Sequence, residues 1–393
     1  MRGLTSGFPL SDAQRAMLDE LKAYLDENFP DDRAVAADLT AEWASDEEYE
    51  WLHQFNRRLA EDGWLIPHWP IEWGGRGLTD VDQMLIREEL AYRRIPLINV
   101  NGLDMLAPIL LRFGTEEQKQ RHLPGIAAVE TMWCQGFSEP EAGSDLTSLR
   151  TTAVRNGDHY VVNGSKVWTG HAMRSTWMIL LCRTDEGSKG SRGLSLLLVD
   201  MANTPGVEMT PTVAMTGAVT FCQEFFVDAK VPVENIVGAE NEGWAASRAL
   251  LEHERGGPGV AAKLRRMLDD LLDLVAEAPE EEFDADVVRL GGLIEKVEGA
   301  RAMAYEMAEA RTRAELSPHM PSVFKLFSSA LGVELSEVGV DLLGLDAPAH
   351  RPDIGAWTHW DDYLYSFLMP IAGGSNEIQH EIIASSFLGV GRK

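Results

Sequence analysis

The chain has few cysteines and no long apolar run. Its three cysteines, at positions 134, 182 and 222, form no Cys-x-x-Cys pair, which argues against a disulfide framework and a structural zinc site. No stretch reaches the roughly 18 apolar residues of a membrane span, and the N-terminus lacks the basic and apolar segments of a signal peptide. We therefore expect a cytoplasmic protein that neither binds a metal nor enters a membrane.

Basic residues are also scarce. Lysine and arginine total 35 against 62 aspartates and glutamates, which gives a formal net charge of −27. Such a charge repels nucleic acid and anionic membranes, so neither is an expected partner. It would equally repel an anionic substrate, which would then need local positive charge, for example around Arg255. The same charge also serves solubility.

Three regions differ in their hydrophobic pattern. Residues 1–128 have helical spacing, with capping-box pairs at Ser11/Gln14 and Thr115/Gln118. Residues 129–240 contain short apolar runs separated by turns, which predicts an antiparallel barrel or small sandwich. Residues 241–393 return to long helical patterns that resemble a four-helix bundle. The predicted fold class is α+β, with the β domain between two helical domains.

The most informative segment runs from residue 133 to 171. A polar, glycine-bearing loop, Ser138 to Asp145, follows a short apolar strand. The dipeptides Asn156-Gly157 and Asn163-Gly164 come next, and both are predicted to be turns, with a hairpin between them. Such a segment brings hydroxyl groups, free backbone N–H groups and the aromatic Trp168 to neighbouring strand ends, which suits a flat cofactor that carries a phosphate.

Four motifs in this order resemble those of the acyl-CoA dehydrogenase family. They are GFSEPEAGSD (136–145), NGSKVW (163–168), FFVDAKVPVENIVGAENEGW (225–244) and GGSNEIQ (373–379). The resemblance covers nearly the whole chain and implies three domains: an N-terminal helical domain, a middle antiparallel β domain and a C-terminal four-helix bundle. It also implies FAD-dependent oxidation of an acyl-CoA thioester to the trans-2-enoyl thioester. A carboxylate takes the α-proton and flavin N5 receives the β-hydride.

The resemblance assigns roles to residues by position. Arg255 is expected to orient the substrate, and Ser144 to contact both phosphate and substrate. Ser375 and Glu377 are expected to contact the cofactor across a subunit interface. Ser375 is also a natural helix N-cap, and the cap and the cofactor contact can hold together. The residues expected to contact the cofactor are Gln135, Phe137, Ser138, Gly143, Ser144, Trp168, Thr169, Ser375 and Glu377.

Two positions depart from the family pattern. Gly170 stands where many relatives carry a hydroxyl residue at the reactive edge of the flavin, so Thr169 is left as the expected donor. Gly373 stands where the best-known members carry the catalytic glutamate. A minority of the family has its base on a long helix beside an arginine, as in the His-Glu-Arg-Gly-Gly segment at 253–257. We therefore predict that Glu254 is the base, although a surface Glu–Arg helix pair is the alternative.

Two family motifs that bind the cofactor are missing, Arg-x-x-Phe-Gly after the catalytic helix and Gln-x-x-Gly-Gly-x-Gly near residues 335–350. In lacking these motifs, the chain resembles a divergent bacterial branch of the family that acts on bulky, branched or steroid-derived acyl groups. The expected partners are an acyl-CoA, an electron-transfer flavoprotein and further subunits, either in a homodimer or homotetramer or in a heterotetramer with a paralogue. Two alternatives stay open: a non-catalytic subunit of a heteromer, and a flavin monooxygenase or oxidase on the same fold.

Overall fold

A computed structural model describes residues 8–29, 46–255, 259–277, 284–348 and 359–390. The N-terminal part is helical, and a six-residue π-helical turn, Asn101–Leu106, leads directly into its fourth helix. Both predicted capping boxes are present. The Ser11 and Thr115 hydroxyls each accept a backbone N–H from three residues on, and their own backbone N–H groups donate to the Gln14 and Gln118 side chains. The helices are α1 (Asp12–Asn28), α2 (Asp46–Glu61), α3 (Asp80–Tyr92), α4 (Ala107–Phe113) and α5 (Glu116–Ala127).

The middle part forms one eight-stranded sheet. Along the sheet the order is β6-β7-β3-β2-β4-β5-β8, and β1 pairs with β4. The sheet is mixed, not fully antiparallel as the sequence predicted, because β1 and β2 both run parallel to β4. The strands are β1 (Trp133–Gly136), β2 (Thr152–Asn156), β3 (His159–Gly170), β4 (Trp177–Arg183), β5 (Leu194–Asp200), β6 (Val207–Val213), β7 (Val219–Pro232) and β8 (Ile236–Val237).

The predicted hairpin is present, but only one of the two Asn-Gly pairs makes its turn. Asn156-Gly157 connects β2 and β3, with Gly157 at a φ of 67°. Asn163-Gly164 instead lies within β3 opposite a bulge on β7, where the pairing shifts by one residue so that Val227 and Asp228 together face Asn163. The Asn163 side chain spans this bulge by bonding Asp228 in both directions, at 3.1 and 2.9 Å. The positive φ of Gly164 therefore lets β3 continue past the bulge and does not reverse the chain.

The C-terminal part is a helical bundle on which α3 also packs. The helices are α6 (Gly243–Arg255), α7 (Gly259–Glu277), α8 (Asp284–Thr312), α9 (Met320–Leu343), α10 (His359–Ser366) and α11 (Asn376–Ile382), followed by a π-helical turn, Ile383–Phe387. The short helix α10 was not predicted. The glycine pair 256–257 lies outside the described residues.

Three apolar cores hold the parts together. Strands β4 and β5 are buried on both faces, so successive residues along each strand pack into different cores. Leu181 and Leu196 pack with the N-terminal helices and α6, whereas Leu180 and Leu197 pack inside the β domain. The third core joins α3 to the C-terminal bundle. Helix α6 thus lies where the domains meet, and its last turn carries Glu254.

No helix in the described ranges combines the length and the apolar character needed to cross a lipid bilayer. Within the same ranges no group of three or more His, Cys, Asp or Glu side chains is arranged to hold a metal ion.

Candidate active site

The loop after β1 is fixed from below by a buried ion pair. Lys166, on β3, is fully buried and donates to the carbonyl oxygen of Phe137 and to Glu139 Oε1, both at 2.9 Å. Glu139 also accepts the backbone N–H groups of Arg150 and Thr151 at 2.7 and 2.8 Å. Burial opposes the charge of Glu139, but Lys166 and these bonds hold its pKa below the usual value. The loop that precedes the cavity is therefore anchored at both of its ends.

A cavity of about 500 Å³ opens between this loop, α6 and the segments that precede α9 and α11. It is lined by seven of the predicted site residues: Gln135, Phe137, Ser138, Gly143, Ser144, Glu254 and Arg255. A Cβ atom added at Gly143 would meet nothing within 4 Å, so this loop leaves open space for a ligand. The structure thus brings together residues that are more than one hundred positions apart in the sequence.

Glu254 provides a carboxylate that is set up to accept a proton. Its side chain is half-buried, and its Oε2 atom is buried without a hydrogen-bond partner. Burial raises the pKa of this carboxyl, while Arg255, the adjacent Gln135 and Lys325 counteract the rise. A carboxylate with a raised pKa is a stronger base than one in water, and an unbonded oxygen can take a proton without first breaking a bond.

The C-terminal motif contacts Glu254 at Gly373, the position where the best-known family members carry their catalytic glutamate. Gly373 adopts a φ of 67°, and a Cβ atom added there would lie 3.6 Å from Glu254 Oε1. Arg255 Nε donates to the Gly373 carbonyl oxygen at 2.9 Å, and Gln379 Nε2 bonds the carbonyl oxygens of Gly373 and Gly374. A side chain from residue 373 and the side chain of Glu254 would therefore reach into the same space.

Lys325 is a site residue that the sequence analysis missed. It lies on α9, is 8% exposed and donates to the Pro370 carbonyl oxygen at 3.0 Å and to Asn376 Oδ1 at 2.7 Å. Burial and the nearby Arg255 cation lower the pKa of Lys325 to about 8. Its sequence signal was a single charge inside the apolar run 321–333. Arg248 was also missed; it is exposed on α6 and lines the cavity.

The end of β3 carries two of the predicted site residues, Trp168 and Thr169. Trp168 is 61% exposed and lies beside the cavity loop, because the next residue back, Val167, donates its N–H to the Ser138 carbonyl oxygen. The Thr169 hydroxyl points away from this loop: it is buried and donates to Glu224 Oε2 at 2.6 Å. The Thr169 hydroxyl is thus bonded inside the β domain, and its expected contact with the flavin stays a prediction. Neither residue lines the cavity.

Ser375 and Glu377 flank the cavity but do not line it. Ser375 caps α11, since its hydroxyl accepts the N–H of Ile378. Glu377 is exposed on the first turn of that helix. The expected cap is present, and the expected cofactor contact of both residues across a subunit interface stays a prediction.

Known protein families match the chain along most of its length. Models of the acyl-CoA dehydrogenase N-terminal, middle and C-terminal domains match residues 11–130, 134–228 and 241–388. The chain is 37% identical to acyl-CoA dehydrogenase IpdE1 of Mycobacterium tuberculosis over 379 residues, which cover 95% of this chain and 97% of that protein.

Solved structures give the same picture. The structure of the Tcur3481-Tcur3483 steroid ACAD superimposes with a TM-score of 0.86 and 28% identity, covering 98% of this chain and 99% of that chain. The ChsE4-ChsE5 complex of Mycobacterium tuberculosis superimposes with a TM-score of 0.83 and 29% identity, covering 98% and 100%.

Proposed function

The chain belongs to the acyl-CoA dehydrogenase family, and on that premise we propose that Glu254 is the base of a thioester α,β-dehydrogenation. The enzyme is an oxidoreductase that acts on acyl-CoA, and its cofactor is FAD. The observation that carries the proposal is the Glu254 carboxylate itself. It lies in the main cavity with an unbonded oxygen, beside a glycine at the position where the family's usual base would be.

The residues present suit a flavin cofactor. The loop from Phe137 to Ser144 offers backbone N–H groups and small side chains around open space, as a phosphate-bearing ligand requires. The exposed Trp168 ring next to this loop offers an apolar surface for a flat ring system. When bound, FAD supplies the hydride acceptor for the β-hydrogen.

The chain's own residues handle the proton. Glu254 accepts the α-proton of the thioester, and the burial that raises the pKa of its carboxyl strengthens its basicity. The Gly373 N–H, which bonds no described carbonyl oxygen and lies at the cavity wall, is our candidate donor to the thioester oxygen. Arg255 orients the Gly373 peptide through its 2.9 Å bond and counteracts the effect of burial on Glu254.

The phosphates of coenzyme A need local positive charge in a chain of net charge −27. Arg248 and Arg255 both line the main cavity. We propose Arg248 as the phosphate contact, because it is exposed and makes no ion pair with another residue in the described ranges. Arg255 stays with the thioester end of the substrate, since its guanidinium is held at Gly373.

The subunit arrangement is a second proposal. Two cofactor-binding motifs are missing from this chain, and the similar Tcur3481-Tcur3483 and ChsE4-ChsE5 structures each combine two differently named proteins. We propose a heteromer in which a paralogue supplies the missing contacts, electrons pass to an electron-transfer flavoprotein, and the complex acts in the cytoplasm. Purification of the chain alone tests the first part: a colourless protein that binds flavin only with a second chain supports a heteromer, whereas a yellow homo-oligomer contradicts it.

The activity is tested by anaerobic bleaching of the visible flavin band with a panel of straight, branched and ring-bearing thioesters. We expect Glu254→Gln to keep the flavin colour but to stop bleaching. Glu242→Gln is the matched control, because Glu242 is exposed just before the same helix and does not line the cavity. Full bleaching by Glu254→Gln would contradict the proposal, and rapid reoxidation of the flavin in air would favour an oxidase instead.

A further inference from the structure

A second cavity lies on the far side of Glu254. Its volume is about 220 Å³, and Glu254 lines it as well as the main cavity. If Glu254 takes the α-proton, the acyl group beyond the α-carbon extends into this second cavity. The inference that follows therefore rests on the proposed function and concerns the far end of the acyl group.

The size and walls of this cavity limit what it can hold. Ten of the seventeen residues that line it are apolar, among them Met84 on α3, Leu111 on α4 and Met307 on α8. An apolar cavity of about 150 Å³ holds one benzene ring, so a cavity of about 220 Å³ has room for a substituted ring or a compact fused pair.

Buried polar atoms in the wall have no partner in the described chain. Trp69 is 2% exposed and Gln83 is 7% exposed, yet neither Trp69 Nε1 nor Gln83 Oε1 makes a hydrogen bond. The neighbouring His68 Nδ1 is likewise unbonded. An indole N–H can only donate, so Trp69 requires an acceptor, and an unsatisfied buried donor is unfavourable. The cavity is the space from which a ligand could provide that acceptor.

The charges around the cavity are already balanced. Asp104 pairs with Arg87 at 2.8 Å, and Asp80 and Arg311 face each other across the wall closely enough to affect each other's ionisation. Burial lowers the pKa of His68 to about 3, so its ring is neutral at physiological pH. Apart from the Glu254 carboxylate at the thioester end, which would repel an anion, no uncompensated charge remains on the described wall, and this favours an uncharged ligand oxygen.

We propose that this cavity is an acyl subsite for a ring-sized group that bears an uncharged oxygen, a ketone or a hydroxyl, at the end away from the thioester. The oxygen accepts the Trp69 N–H, a hydroxyl in this place also donates to Gln83 Oε1, and the neutral His68 ring completes the polar surroundings. Trp69 and Gln83 are thus specificity-determining residues.

The test compares three thioesters: cyclohexylpropanoyl-CoA, the same thioester with a ketone on the far carbon of the ring, and the same thioester with a carboxylate there. We expect the wild-type holoenzyme to be reduced by the ketone with a kcat/KM about tenfold above that for the hydrocarbon, the effect of one buried hydrogen bond. The carboxylate should be the poorest substrate. Calorimetric binding to the non-reacting Glu254→Gln variant should give the same ranking without turnover.

One variant and its control test whether Trp69 causes the preference for the ketone thioester. Trp69→Phe removes the N–H and keeps an aromatic ring, and it should bring the ketone-to-hydrocarbon ratio close to one. Trp73→Phe is the matched control, because Trp73 is half-buried nearby but does not line this cavity, and its ratio should stay at the wild-type value. If Trp69→Phe does not fold, Gln83→Leu is the second variant, tested with the ring alcohol in place of the ketone. It should lower the alcohol-to-hydrocarbon ratio, because it removes the acceptor of the hydroxyl proton.

The outcomes separate the subsite from the proposed function. If both neutral thioesters bleach the flavin equally well, or if the ratio survives Trp69→Phe, the subsite is refuted while the dehydrogenase assignment stands. If the carboxylate is preferred, an anionic acyl group replaces the neutral one. If no thioester bleaches a yellow protein, the proposed function fails, and the subsite fails with it.

Discussion

The buried Lys166–Glu139 ion pair next to the active-site loop should contribute far more to the free energy of unfolding than the surface pair Lys119–Glu116. Lys166→Met removes the cation that contacts the Phe137 carbonyl oxygen and Glu139. The Glu139 carboxylate stays buried and keeps only its two backbone N–H partners. Breaking one half of a buried ion pair destabilises a protein by about 3–5 kcal/mol, because an uncompensated charge remains inside.

The assay is urea unfolding followed by both fluorescence and release of bound flavin. Lys119→Met is the matched control, because Lys119 pairs at 2.8 Å with an exposed glutamate and such surface pairs contribute about 1 kcal/mol or less. Lys166→Met should unfold at clearly lower urea and release flavin early, and the added Glu139→Gln should recover part of the loss. Equal urea midpoints for Lys166→Met and Lys119→Met would refute this reasoning.

Three further changes test the electrostatics of the site. Arg255→Met removes a cation that holds down the pKa of Glu254, so the acidic limb of the kcat/KM profile should move up by about one pH unit or more; an unmoved limb would count against Glu254 as the titrating base. Burial raises the pKa of Glu224 from 4.5 to about 7, so its contribution to stability falls as the pH rises through that window. Glu224→Gln should therefore flatten the pH dependence of unfolding by about 3 kcal/mol, and an unchanged slope would show that Glu224 titrates normally. Gly373→Glu in the Glu254→Gln background should restore activity at least tenfold, despite about 1 kcal/mol of left-handed strain, since a Cβ there would lie 3.6 Å from the original carboxylate; no recovery would separate the two positions.

Local chemistry in the sequence was a good guide to elements and motifs. Capping pairs such as Ser11/Gln14 act within one helical turn, so their geometry follows from neighbouring residues alone. The family motifs likewise located the loop at Phe137–Ser144 that lines the main cavity. By contrast, Asn163-Gly164 has the local signature of a turn, but it continues β3 because β7 pairs with its other edge through a bulge at this point.

Residues whose roles depend on distant partners could not be predicted. The Thr169 hydroxyl bonds Glu224 on β7, a partner 55 positions away that no local pattern indicates, and its expected flavin contact stays a prediction. Lys325 contacts the C-terminal motif only because α9 and the segment before α11 pack together. The second cavity is formed by the packing of α3, α4 and α8, and no spacing within any one of these helices reveals it.

Proton removal by Glu254 can be isolated from flavin reduction with tert-butylacetyl-CoA. This thioester has exchangeable α-hydrogens but no hydrogen on its β-carbon, so it can lose a proton and cannot be oxidised. In heavy water the wild-type enzyme should exchange its α-hydrogens for deuterium, as followed by mass spectrometry. Glu254→Gln should exchange them at least about one hundredfold more slowly while still binding the thioester. Equal exchange rates in the two proteins would show that another group removes the proton.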